Sequence, residues 1–200
     1  MPIEHQHLSR RMMLKTGMAI GFGLVPALTV VSSIATADVN ETSDGGTRMD
    51  ALISALNNTG KPVCLAAAGR LAALDPNTKS FDLHVRRAGL DAEDARILAD
   101  ALRETDGFSG PVLRSFSASY NPDLTDAGVV ALAEAFPATM TELGLVGCSI
   151  GDAGGLAILS WARTAAGTRM ICVEANDFSA NVKSDFAQLG RESSSLLVVV

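Results

Sequence analysis

Apolar residues return along most of this chain at fixed intervals, and those intervals set the structural expectation. Met140, Leu143, Leu145, Cys148 and Ile150 carry one spacing, which Ile171, Val173, Asn176 and Phe178 repeat with Thr168 in the leading place. The alternation through Leu143 and Leu145, or Ile171 and Val173, is that of a strand with one face buried. Two earlier units show the same order: Leu83, Val85, Ala88 and Leu90, then Leu113, Phe116, Ala118, Asn121 and Leu124. Behind each bend lies a helix, marked by Leu98 and Leu102, Leu132 and Phe136, Ile158, and Phe186. Leu90 to Leu98, Leu124 to Leu132, Ile150 to Ile158 and Phe178 to Phe186 are all eight apart, so bend and helix keep register in four units. The strand anchors Leu83, Phe116, Leu143 and Ile171 are 33, 27 and 28 apart, and the longer interval holds a loop over 105–111 rich in Gly and Pro. Leu197, 26 residues after Ile171, marks a fifth strand within 196–200.

Upstream the period changes. Met49, Leu52, Ile53 and Leu56 recur at helical spacing and predict an amphipathic helix, ended by Asn57-Asn58-Thr59-Gly60. Pro62 is expected to bar its restart, Val63-Cys64-Leu65 to form a short strand, and 66–74 to be a helix or an irregular turn. Residues 47–80 therefore read as a helical amino-terminal cap on the periodic part, 81–200. The polar stretch 38–46 reads as a disordered spacer.

The spacing of the third and fourth units resembles the L-x-x-L-x-L-x-x-N/C-x-L pattern of leucine-rich repeats. Periods of 27 and 28 resemble the long, ribonuclease-inhibitor-like type. So do Leu124-Thr125-Asp126-Ala127-Gly128 and Ile150-Gly151-Asp152-Ala153-Gly154, which look like its helix-opening turn. The resemblance implies an α/β solenoid with a curved parallel sheet and helices on the convex side. Asp126 and Asp152 are expected to accept hydrogen bonds in the first turns of their own helices. The first and fourth units carry Asp94 and Val182 where glycine stands, so altered or shortened helix starts are expected there.

In such a fold the residues between inward anchors stand on the concave face. They are Asp82, His84 and Arg86; Ser115, Ser117 and Ser119; Glu142, Gly144 and Val146; and Met170, Cys172 and Glu174. This row is the expected contact surface for a protein partner of unspecified identity, with no catalytic residue, metal or cofactor. Cys148 takes the Asn/Cys bend position, where the side chain turns inward.

Ser9-Arg10-Arg11-Met12-Met13-Leu14-Lys15, an apolar run over 16–34 and Ala35-Thr36-Ala37 resemble a bacterial twin-arginine signal peptide spanning 1–37. Cleavage after Ala37 and a periplasmic or extracellular location are expected, with membrane contact only during export. The alternative is a retained anchor, since 16–37 is long enough to span. The signal holds three of 16 basic and one of 22 acidic residues, so the remainder carries a net charge of about −8. That balance argues against nucleic acid, whose phosphates need clustered Lys or Arg. His84 is the single histidine after 1–37, which removes most hydrolytic and zinc schemes. Three cysteines (Cys64, Cys148, Cys172) cannot all pair within one molecule, and no structural disulfide is expected. Two other function classes stay open: a small exported enzyme or redox protein with an unidentified cofactor, and a structural subunit of an envelope assembly.

Overall fold

The computed structural model describes residues 44–105 and 110–200. The signal over 1–37, most of the spacer over 38–46 and the centre of the 105–111 loop lie outside those residues. In chain order the elements are α1 (Asp44–Asn58), α2 (Pro62–Ala72), β1 (Ser80–His84), α3 (Ala92–Thr105), β2 (Val112–Ser117), α4 (Thr125–Ala135), β3 (Glu142–Gly144), α5 (Asp152–Thr164), β4 (Met170–Cys172), α6 (Ala180–Glu192) and β5 (Leu197–Val199). The architecture is α/β. The five strands form one parallel sheet in the order β1-β2-β3-β4-β5, each joined to the next through a helix. Successive helices touch, α3 on α4, α4 on α5 and α5 on α6, so they share one face of the sheet. Had they alternated, every other helix would lie beyond the strands. Among the described residues no helix is long and apolar enough to cross a membrane.

The expected ladder is observed: Leu83 pairs with Phe116, Phe116 with Leu143, and Leu143 with Ile171, each no more than 1% exposed. Under it lie the eight-residue pairs, of which only Phe178 exceeds 0% exposure, at 6%. Phe116 makes a tilted contact with Phe136 of its own unit, centroids 4.9 Å apart, and Phe136 an edge contact with Trp161 of the next, at 5.6 Å. The three-residue step from Leu113 to Phe116 is an irregularity in the ladder. Phe81 pairs with Leu113 but Asp82 with Ser115, so Arg114 is the extra residue of a bulge that puts both apolar side chains inward.

Each strand ends in the same bend. Arg87, Tyr120, Gly147 and Ala175 stand four residues after their anchors, all with φ between 52° and 63°. The next position carries the stitching side chain. Asn121, fully buried, accepts from the amides of Gly89 (2.8 Å) and Leu90 (3.1 Å) and donates to the carbonyls of Val85 (3.0 Å) and Ala118 (2.7 Å). Asn176 repeats this one unit pair later, on the amides of Cys148 and Ile150 and the carbonyls of Leu145 and Val173. Cys148 stands between them, its thiol donating to Ala118 O at 3.3 Å. These side chains supply partners that the irregular backbone cannot find for itself. Thr168, in place of an apolar residue, is buried and donates to Met140 O.

Several expectations are corrected. Val63-Cys64-Leu65 lies in helix α2, and Pro62 begins that helix instead of preventing it. Proline at the first position loses no intrahelical bond, because the amide there has no partner anyway. Helix α1 starts at Asp44, so the last three residues of the 38–46 spacer are helical.

Asp126 does not serve its own helix. It accepts from the amides of Gly151 (2.8 Å) and Gly154 (2.7 Å), at the start of the next helix, and Asp152 accepts from Ser179 at 2.7 Å. Each carboxylate therefore ties one unit to its successor. A Cβ on Gly154 would lie 2.4 Å from Ile150 Cγ2 and 2.8 Å from Asp126 Oδ1, so glycine makes room for that tie. The first and fourth starts are altered but not shortened: α3 has 14 residues and α6 has 13. Asp91 accepts from Glu93 and Asp94 at one, Asp94 pairs with Lys61, and Ser179 accepts from Val182 at the other.

The last strand is shifted by one residue. Val198, not Leu197, stands opposite Ile171. A one-residue slip reverses every side chain, so Leu197 and Val199 join the open face and Val198 packs inward.

Candidate functional site

The face of the sheet away from the helices carries three rows of side chains. Register fixes the first as Asp82, Ser115, Glu142, Met170 and Leu197, and the second as His84, Ser117, Gly144, Cys172 and Val199. Backbone bonds continue the pairing past the strand ends, from Arg87 to Ser119, Tyr120 to Val146, and Gly147 to Glu174. The third row is thus Arg86, Ser119, Val146 and Glu174. All twelve residues expected on the concave face fall on this grid. Eleven of them line one open depression of about 340 Å³; Asp82 borders a neighbouring hollow beside Arg70 and Arg114.

The depression exists because its middle row is small. Ser117, Gly144 and Cys172 form the floor, while Tyr120, Glu142, Met170 and Glu174 rise around it. Gly144 leaves no space unused: a Cβ there would meet Ser117 Oγ at 2.9 Å.

The polar groups are unequally engaged. Asp82 is neutralised by Arg114 at 2.5 Å. His84 Nε2 pairs with Ser115 Oγ at 3.1 Å. Arg86 and Arg87 lie over the ring of Tyr120, 5.6 and 4.5 Å from its centre. Ser115 and Ser119 are 4% and 2% exposed, and Ser119 Oγ accepts from Val146 N at 3.2 Å, so these two hydroxyls brace the sheet more than they meet solvent. Among the described residues Glu174 Oε2 is buried without a hydrogen-bond partner.

Cys172 is half-buried, and burial followed by the nearby Glu174 charge pushes its thiol above the ordinary cysteine range. Burial raises Cys64 and Cys148 as well, and all three are unpaired thiols. Cys148 points inward and Cys172 outward. His84 and Cys172 are three strands apart by register, roughly 14 Å at about 4.8 Å per strand. Proton transfer between them would require contact at about 3 Å. Among the described residues no group of three His, Cys, Asp or Glu is placed to hold a metal ion.

Tyr120, Leu197 and Val199 were missed by sequence reasoning. Tyr120 follows the outward Ser119, and its φ of 63° turns the chain so that its ring borders the depression. An isolated exposed aromatic just after a strand was the available signal. The run Leu196-Leu197-Val198-Val199-Val200 has no polar alternation from which its register could be taken. No protein-family model and no curated protein gives a significant match to this chain.

Proposed function

We propose that this chain is an exported, non-catalytic leucine-rich repeat protein of the ribonuclease-inhibitor-like type that binds a protein partner through the open face of its sheet. The observation that carries the proposal is the coincidence of the repeat register with the depression. All but Asp82 of the residues that the period places outward line one hollow. The bend asparagines and the carboxylates support a stacked-repeat origin, because each reaches into the neighbouring unit. In this reading the helices lie on the convex side, α1 and α2 shield the first unit, and the twin-arginine segment directs the protein to the periplasm or beyond.

Crosslinking and mass spectrometry of the protein in its native envelope, with Ser117→Arg and Glu174→Arg in parallel, test the surface. Arginine at 117 fills the floor of the depression, and arginine at 174 reverses the charge at its rim. Both are expected to abolish capture of a partner that the unaltered chain retains; undiminished capture refutes the proposal. Replacing Arg10 and Arg11 together by lysine should hold the protein in the cytoplasm, and continued export would remove the twin-arginine assignment.

A further inference from the structure

Glu174 stands apart on the open face because, among the described residues, it alone has a buried side-chain oxygen with no hydrogen-bond partner. Among the described residues no basic nitrogen lies within 4 Å of Glu174 or Glu142, and one oxygen of Glu174 is out of solvent with nothing donating to it. That oxygen has lost hydration without gaining a donor, although Glu174 as a whole is only partly buried. The opposite wall differs, since His84 is occupied by Ser115, and Arg86 and Arg87 by Tyr120. Between the walls lie the small floor and two apolar side chains, Val146 and Met170. A long side chain with an aliphatic stem and a cationic head matches that sequence of surfaces: stem along Val146 and Met170, head at Glu174. The net charge of −6 over the whole chain draws basic partners in the same direction.

We infer that the partner inserts a lysine or arginine side chain into the depression, with its cation paired to Glu174 and its stem over Gly144. The inference rests on the binding role proposed above and specifies the chemistry that such a partner presents. A cation there donates to the unpaired oxygen of Glu174 and supplies its counter-charge as well, whereas a neutral donor supplies the hydrogen bond alone.

The test is an NMR titration of the full-length 15N-labelled chain with Nα-acetyl-lysine methylamide, its arginine counterpart, and the uncharged norleucine counterpart. Saturable shifts are expected at the amides of Val146, Gly147, Cys172 and Glu174 for both basic probes. Norleucine should bind at least about fivefold more weakly, as should the basic probes to Glu174→Gln, with the rest of the spectrum unchanged. Glu104→Gln, an exposed helix residue, controls for a general loss of negative charge and should leave the titration unaltered. Equal binding of norleucine, unchanged binding to Glu174→Gln, or no saturable shift up to about 50 mM of either basic probe overturns the inference. Its failure is separable from that of the binding role. If Ser117→Arg abolishes partner capture while the basic probes fail, only the lysine or arginine assignment falls; if Ser117→Arg leaves capture intact, the face itself is misassigned.

Discussion

Asn121 offers the most direct measure of what joins one unit to the next. Its side chain is fully buried and makes four hydrogen bonds of 2.7 to 3.1 Å, to Gly89, Leu90, Val85 and Ala118. At about 0.5 to 1.5 kcal/mol net per bond, Asn121→Ala should cost about 3 to 5 kcal/mol, with the upper part set by leaving the buried Leu90 amide and Ala118 carbonyl unpaired. For a chain of this size that lowers Tm by roughly 6 to 20 °C. Asn176 makes a similar set, to Cys148, Ile150, Leu145 and Val173 with a longer bond to Glu174 O, from a half-buried site where water can reach the freed groups. Asn176→Ala should therefore cost less, about 1 to 3 kcal/mol.

Asn121→Asp keeps the two acceptor contacts but sets a buried carboxylate oxygen against the Val85 and Ala118 carbonyls. Burial and those dipoles raise its folded-state pKa, so the folded protein holds the proton more tightly than the unfolded chain. The deficit is then greatest above the raised pKa and shrinks as pH falls toward the unfolded value of about 4. Urea unfolding of the three variants, with the slope checked for constancy, reads all of this. A loss below about 1 kcal/mol for Asn121→Ala, or a larger loss at Asn176 than at Asn121, refutes the reasoning.

Three further outcomes are expected. Gly154→Ala should destabilise by about 1 to 3 kcal/mol because its Cβ meets Ile150 and Asp126, whereas Gly69→Ala, an open position on α2, should stabilise by up to about 1 kcal/mol; thermal unfolding of both checks the pair. Cys172 should react slowly with a disulfide reagent at neutral pH and faster in Glu174→Gln, because removing that charge lowers the thiol pKa; an equal or slower rate contradicts the assignment. Backbone amides of Asp94 and Glu93 hold Asp91 below the usual carboxylate range, and the Ser179 amide does so for Asp152. A depressed folded pKa contributes stability that is present above the unfolded value near 4 and is lost as pH falls through the folded one. The loss on acidification should therefore be smaller in a double Asp91→Asn, Asp152→Asn variant, as read by unfolding at stepped pH.

The buried ladder, the bend positions and the helix behind each bend follow from periodicity alone. Leu83, Phe116, Leu143 and Ile171 had to share one face, because a side-chain period of two leaves no other way to shelter them together. The outward grid follows from the same count, which is why twelve of its residues are legible from the sequence. Direction and distance between units were not. Asp126 was visible as a helix-start acceptor, yet only packing brings the next helix closer to it than its own first-turn amides. The register of β5 escaped for a related reason: five apolar residues in a row pair equally well either way on composition, and the choice depends on which face the preceding units leave open. The unpaired oxygen of Glu174 is likewise a product of assembly. A chain lists its charges, but whether each finds a counter-charge depends on neighbours some thirty residues away, and those neighbours are set by how the units stack.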